Sequence, residues 1–272
     1  LLIFFDYLYT NSRKFYGLDK DTFTLKHLNR IEAFDIEKFI SYLTHYVYHG
    51  KEYSNSLTAK SRKLASIRSF FKYMYNKDLI DGNVASKVDM PKLHEKPIIR
   101  LEQQEVFDIL NIADNGTSLS PKQKVYHEVN RLRDIAILSL FLGTGIRISE
   151  LVGINIEDID FYTNSFKVTR KGGNQAILYF NDDVSIALLE YFEKRQQINA
   201  AQKDENAFFL SLQNKRITVR SVELLVKKYA KIVSPLKNIT PHKLRSTFGT
   251  NLYRSTKDIY VVAELLGHKD VN

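Results

Sequence analysis

The sequence predicts a mainly α protein of two parts, the second an α+β domain in which a small β-hairpin interrupts the helices. Three observations predict it. Apolar residues recur at helical spacing through most of the 272 residues, one glycine-centred turn separates two β-prone runs, and two prolines bound a segment between helical patterns. With 44% hydrophobic residues the chain can build packed cores, and no apolar run approaches the ~18 uncharged residues of a membrane span.

The opening stretch LLIFFDYLYTNSRKF is too aromatic for a signal peptide and lacks a basic leader. It begins without methionine, and both ends of the sequence are expected to be trimmed. In DIEKFISYLTHYVYHG, Ile36, Phe39, Ile40 and Leu43 share a helical face, with Asp35 as expected N-cap and Gly50 as expected stop. In SLTAKSRKLASIRSFFKYMYNKDLI the stripe is Leu64, Ile67, Phe71 and Met74, and Arg62, Arg68 and Lys72 lie off it. No acidic residue occurs from Leu57 to Lys77, so this helix carries either a solvated basic face or a phosphate-binding one. Ser61, Ser66 and Ser69 among the basic residues favour phosphate contact. The first part is expected to be helical throughout. DMPKLHEKPIIRLEQQEV, with Pro91 and Pro97, reads as an extended linker. The expected organisation is a domain over residues 1–90, a linker over 91–100 and a domain over 101–272.

In the second part NRLRDIAILSLFLGTG is apolar nearly all round, the mark of a buried central helix. SFKVTRKGGNQAILYF reads as a β-hairpin turning on Lys171, Gly172, Gly173 and Asn174. Helical patterns follow at DDVSIALLEYFEKRQQ, TVRSVELLVKKYAKIV, TPHKLRSTFGTNLYRS and DIYVVAELLGH.

Forty Lys+Arg against 31 Asp+Glu give a net charge of +9, which favours a polyanionic partner. Residues 1–100 hold 17 of the basic and 11 of the acidic residues, so the first part is the more basic per residue. There is no cysteine, hence no disulfide framework and no thiolate metal site; a reducing compartment, the cytoplasm, is the expected setting.

Four places can carry chemistry. Arg147 follows a Gly-Thr-Gly turn at the end of the apolar helix, where a guanidinium needs a partner or an anionic ligand; Glu150, three residues on, can hold it. His242 and Arg245 sit three apart at a helix start that Thr240 can cap and Pro241 can open, a placement suited to a phosphate oxyanion. Lys171 stands at the hairpin turn, and His268 follows Gly267, which ends its helix. Each alone has an ordinary structural reading: an ion pair, surface decoration, a turn lysine, a structural histidine. Together they offer cations and proton donors without a metal-binding cluster, a set suited to metal-free phosphoryl transfer.

In their order along the chain, GTGIRISEL, RKGG on a hairpin, HKLRSTFGTNLY and LLGHKD resemble the motifs of the tyrosine recombinase (phage integrase) family. SRKLASIRSFFKYMYNKDLIDGNVASKVDMPK resembles the end of that family's DNA-gripping core-binding domain and its linker. Among subgroups the likeness is to the Xer recombinases that resolve chromosome dimers, in wording closest to the XerS-like single recombinases. The resemblance implies a two-domain DNA clamp in the bacterial cytoplasm, a helical core-binding domain plus a tyrosine recombinase catalytic domain. Its implied partners are double-stranded DNA with a specific recombination site, three further copies in a homo-tetramer on two DNA sites, and a DNA translocase of the FtsK type; it implies no cofactor and no metal. Position by position, it implies that Arg147 and Arg245 clamp the scissile phosphate and that His242 hydrogen-bonds it. Lys171 would protonate the leaving 5′-hydroxyl, His268 would complete the pocket, and Glu150 would support Arg147. The candidate DNA contacts are Arg62, Lys63, Arg68 and Lys72, with Arg220 in the second domain.

The family's nucleophile is a tyrosine beyond the Leu-Gly-His motif, and no tyrosine follows His268 in this sequence. The expectation is therefore a chain that binds DNA without cleaving it, Tyr260 being read as a packing residue. A recombinase is weighed against a DNA binder on the same scaffold that has lost catalysis, which has no use for Lys171 together with His268. It is also weighed against a type IB topoisomerase, which the helical first part and LLGHKD disfavour. Among recombinases, chromosome dimer resolution at a dif-like site stands beside integration or transposition of a mobile element.

Overall fold

The structure, a computed structural model, describes residues 1–93, 97–170 and 172–267, in two compact units spanning Leu1–Lys96 and Pro97–Asn272. It is mainly α with small antiparallel sheets, and the second unit is α+β.

The first unit runs α1 (Leu2–Asn11), α2 (Leu25–Leu28), α3 (Ala33–Tyr42), β1 (Tyr46–Tyr48), β2 (Lys51–Tyr53) and α4 (Leu57–Asn76). Its core is aromatic: Phe4, Phe15, Phe39 and Phe71 are buried, and the Phe4 and Phe39 rings meet edge to face at 5.1 Å. Leu64, Ile67 and Phe71 turn inward from α4 as their spacing requires, with Met74 packed against them. Ser56 caps α4 through its side chain, accepting from Ala59 N.

Two expectations fail here. The helix read from Asp35 to Gly50 begins earlier and stops sooner: Asp35 lies in the first turn of α3, where its carboxylate accepts from Glu32 N at 2.9 Å. From Tyr46 the chain is a hairpin, paired Tyr46 to Tyr53 and Tyr48 to Lys51. Gly50 is therefore no helix stop but half of a two-residue turn with His49, both at positive φ, the conformation that suits a tight hairpin. The first part is thus not helical throughout, because the alternating β-prone Tyr-Val-Tyr pairs rather than coils.

The second unit comprises α5 (Gln103–Asn115), α6 (Pro121–Thr144), α7 (Ile148–Gly153), β3 (Ile159–Asp160), β4 (Ser165–Thr169), β5 (Gln175–Tyr179), α8 (Asp182–Gln196), α9 (Val219–Val233), α10 (Pro241–Thr256) and α11 (Ile259–Leu266). The strands form one antiparallel sheet in the order β3-β4-β5, with Thr169 opposite Gln175 where β4 enters the β4–β5 turn. The apolar half of α6 is the central helix its composition demands: Ala136, Ile137, Leu138, Leu140 and Phe141 are all fully buried. Its one buried carboxylate, Asp134, accepts from Lys228 (2.9 Å), Tyr229 Oη (2.9 Å) and Arg133 (2.8 Å), fastening α6 to α9.

Two glycines let α6 lie where it does. A Cβ at Gly143 would strike Val184 of α8. Gly145 closes α6 at φ +62, and a Cβ there would strike the Phe248 ring of α10. The Gly-Thr-Gly turn thus presses the exit of α6 against α10. Tyr260 of α11 is 72% exposed, contrary to its expected packing role, because α11 turns Val262, Ala263 and Leu266 inward instead. Among the described residues no helix is long and apolar enough to cross a membrane.

Candidate active site

The site is built where α6 ends, α7 begins and α10 starts. Arg147 is the N-cap of α7, and Glu150 stands one turn on. The Glu150 carboxylate, 4% exposed, accepts from the Arg147 backbone N–H (3.0 Å) and from its Nη1 (2.9 Å). The ion pair that the spacing allows is therefore formed. One edge of the guanidinium is held by a buried acid, and the side chain remains 38% exposed.

Arg245 comes from the first turns of α10, which opens with Pro241 after Thr240; the Thr240 side chain makes no capping hydrogen bond. The residue is 7% exposed, and its guanidinium donates to the carbonyls of Gly145 and Leu266. Burial first, then the neighbouring Arg147 and Arg170 guanidiniums, push its pKa down to about 10 against the opposing pull of Glu150. It stays a cation at neutral pH. Arg147 Nη2 reaches the same place, 3.3 Å from the carbonyl oxygens of Leu266 and Gly267 at the end of α11. His242, exposed, joins Arg147 and Arg245 around a pocket of about 300 Å³ lined also by Ile146, Ile148, Ser149 and Pro241. Sequence positions 147, 242 and 245 are thus brought together, with Glu150 behind them.

Such a pocket presents a guanidinium fork, a second guanidinium and an imidazole to one small volume, which suits a tetrahedral oxyanion. Among the described residues no three His, Cys, Asp or Glu side chains gather as a metal shell would require. Lys171 and His268 lie outside the described residues. The hairpin that carries Lys171 is described up to Arg170, whose backbone N–H donates to Asn174 O at 2.7 Å.

One residue escaped the sequence reading. The Arg170 guanidinium lies directly against Gly267, whose absent Cβ leaves the space it occupies. Its position immediately before Lys171 was the available signal.

The candidate DNA contacts differ among themselves. Arg62 and Lys72 of α4 are exposed and Arg68 is half-buried, while Lys63 is half-buried and donates to Asn55 Oδ1 at 3.1 Å. Ser66 and Ser69 are exposed, but Ser61 is buried and cannot present its hydroxyl to a phosphate, because it falls on the core side of the helix. Arg220, on α9, is exposed and pairs with Glu223 at 3.1 Å.

Comparison with known proteins bears on this geometry. The sequence profile of the phage integrase family matches residues 100–272. Tyrosine recombinase XerC of Caldanaerobacter subterraneus subsp. tengcongensis is 36% identical over 248 residues, covering 90% of this chain and 65% of the relative. This chain therefore spans less than two thirds of that relative's length. Tyrosine recombinase XerC of Thermodesulfovibrio yellowstonii is 34% identical over 246 residues, covering 89% of this chain and 76% of the relative. Among solved structures, XerH site-specific recombinase bound to palindromic difH substrate superposes with a TM-score of 0.68 at 18% identity, covering 89% of this chain and 67% of that one. The Tn1549 transposon integrase in complex with circular intermediate DNA gives 0.65 at 18% identity, covering 99% and 92%. At these identities the two structures speak for the fold.

Proposed function

Because this chain belongs to the phage integrase family and resembles its Xer-type tyrosine recombinases, we propose that it is the DNA-binding and catalytic body of a site-specific recombinase acting at a dif-like chromosomal site. The observation that carries the reading is the convergence of Arg147, Arg245 and His242 on one pocket, with a buried Glu150 fixing the first of them.

In this reading the pocket receives the scissile phosphodiester. Arg147 and Arg245 neutralise its oxygens and His242 donates a hydrogen bond to one of them, so that charge developing at phosphorus meets donors already in place. A tyrosine hydroxyl from beyond residue 268 attacks phosphorus and releases its proton to water; the bond to the 5′-oxygen breaks, Lys171 supplies that oxygen's proton, and His268 completes the donor set. The 3′-phosphotyrosyl bond keeps the phosphodiester's energy until a 5′-hydroxyl of the partner duplex attacks it and frees the tyrosine. Four copies on two DNA sites carry out the exchange, and a translocase of the FtsK type is a candidate regulator. The first unit grips duplex DNA through α4, with Arg62, Lys63, Arg68 and Lys72 at the phosphates, and Arg220 adds a contact from the second unit.

The test is covalent trapping. The full-length protein is incubated with fragmented host DNA, denatured with detergent, and the attached DNA is sequenced. Recovery of one chromosomal site, linked to a tyrosine beyond His268, is the expected result. Recovery of element ends instead would assign the protein to a mobile element, and relaxation of plasmids lacking any particular site would assign it to the topoisomerases. Salt-sensitive DNA binding with no covalent product would overturn the catalytic reading in favour of a DNA binder.

A further inference from the structure

We propose that Arg170 is a third guanidinium of the phosphate pocket, contacting the scissile phosphodiester from the hairpin side; the proposal rests on the reading of the pocket given above. Three elements deliver a cation to the same two residues. Arg147, between α6 and α7, points Nη2 at the Leu266 and Gly267 carbonyls, and Arg245 of α10 donates to Leu266 O. Arg170, closing β4, fills the space beside Gly267 that any Cβ would occupy.

Three other arginines of this unit are engaged within the fold. Arg195 donates to the carbonyls of Ala207, Glu205 and Ile198, and Arg216 to those of Val152 and Ile154 and to Asn155 Oδ1. Arg133 is shared between Asp134 and Leu210 O. Each spends its donors on acceptors inside the fold. Among the described residues the Arg170 side chain makes no such bond, and its enclosed Nε has no partner. Nor is Arg170 needed as a cap for α11, because the end carbonyls of that helix are already taken by Arg147 and Arg245.

Among the described residues the Arg147 and Arg170 guanidiniums both act on Arg245, and the Glu150 carboxylate beside them is bonded to Arg147. Like charges held together cost free energy until an anion arrives, and a phosphate passing through a five-coordinate state carries more negative charge than the diester it began as. A planar fork at the end of β4 can take one nonbridging oxygen while the two other arginines take the second. The preference of the site for Gly at position 267 then has a second cause beyond its φ of +61: the glycine leaves room for a catalytic cation.

The experiment uses the full-length protein and a duplex carrying the trapped cleavage site, made once with the natural phosphodiester and once with an uncharged methylphosphonate at the scissile position. Covalent adduct is followed under single-turnover conditions for the wild type, Arg170→Gln, Arg170→Lys and Arg147→Ala, with thermal unfolding of each variant as a check on folding. On the phosphodiester, Arg170→Gln is expected to slow adduct formation on the order of a hundredfold while duplex affinity changes little, and Arg170→Lys to recover part of the loss. On the methylphosphonate, which lacks the diester's charge and one of its two nonbridging oxygens, the gap between wild type and Arg170→Gln should largely close. The proposal is overturned if Arg170→Gln reacts like wild type while Arg147→Ala is inactive, or if its deficit is the same on both duplexes, the signature of a structural role. If Arg147→Ala itself reacts like wild type, the pocket reading fails, and this proposal with it.

Discussion

At the residue scale Arg147 answers to two demands with one side chain. Its backbone N–H and Nη1 satisfy a buried carboxylate, while Nη2 reaches the Leu266 and Gly267 carbonyls beside Arg245 and the side chain stays 38% exposed. Arg147→Ala should lower covalent adduct formation by about 10²–10³-fold, the range for removing one preorganised donor, with a much smaller loss of duplex affinity. A filter-binding titration beside the cleavage assay measures both. Glu105 permits a prediction on pH. It accepts from Ser234 and from Lys237 Nζ (2.5 Å), anchoring the loop that leads into α10. Burial works against its charged form, but Lys237, Ser234 and the Glu102 backbone N–H outweigh that and hold the carboxyl below the ordinary value of 4.5. A depressed pKa in the folded state means that the contribution to stability is present above pH 4.5 and is lost as pH falls below it. Glu105→Gln should therefore cost about 1 kcal/mol at pH 7, modest because Lys237 is partly exposed, and progressively less below pH ~4. Urea unfolding across that range reads the difference directly.

At the element scale the site depends on how closely α6 and α10 approach. Gly145 combines a left-handed backbone with contact against Phe248, so two separate penalties meet in one substitution. Gly145→Ala should destabilise the second unit by about 2–4 kcal/mol, adding a left-handed cost of roughly 1–2 to an overpacking cost of similar size. Denaturant unfolding checks the stability, and adduct formation should fall with it because Arg147 lies two residues on. In the first unit, Leu64→Ala removes a fully buried side chain from the inward stripe of α4 and should cost about 2–5 kcal/mol by the same measurement. The stripe was legible in the sequence because a repeat of 3.6 residues is a local property. The β1–β2 hairpin was not: Tyr46 and Tyr48 fit the end of the preceding helical pattern nearly as well as a strand, and only their pairing with Tyr53 and Lys51 decides between the two.

At the scale of the whole molecule, net charge is a coarse guide to the DNA surface. Arg133, Arg195 and Arg216 count toward the +9 yet spend their donors inside the second unit, so they add little to any nucleic-acid footprint. The cations of α4 are the better candidates, Arg62 and Lys72 being exposed and Arg68 half-buried. Duplex affinity should fall log-linearly with salt, and replacing Arg62, Arg68 and Lys72 with alanine should flatten that line by about 0.9 per lost phosphate contact, as a fluorescence-anisotropy titration would show. Readable from sequence were the mainly α class, the central helix α6, the β4–β5 hairpin with its glycine turn, Glu150 within reach of Arg147, and the shared helix start of His242 and Arg245. All of these rest on residues within a few turns of one another. Packing alone makes Arg147, Arg245 and Arg170 meet at Leu266 and Gly267, turns Ser61 inward and turns Tyr260 out. The reason is physical: which carbonyl a guanidinium reaches depends on how α6, α10, α11 and the hairpin pack against each other, and no local periodicity encodes that packing.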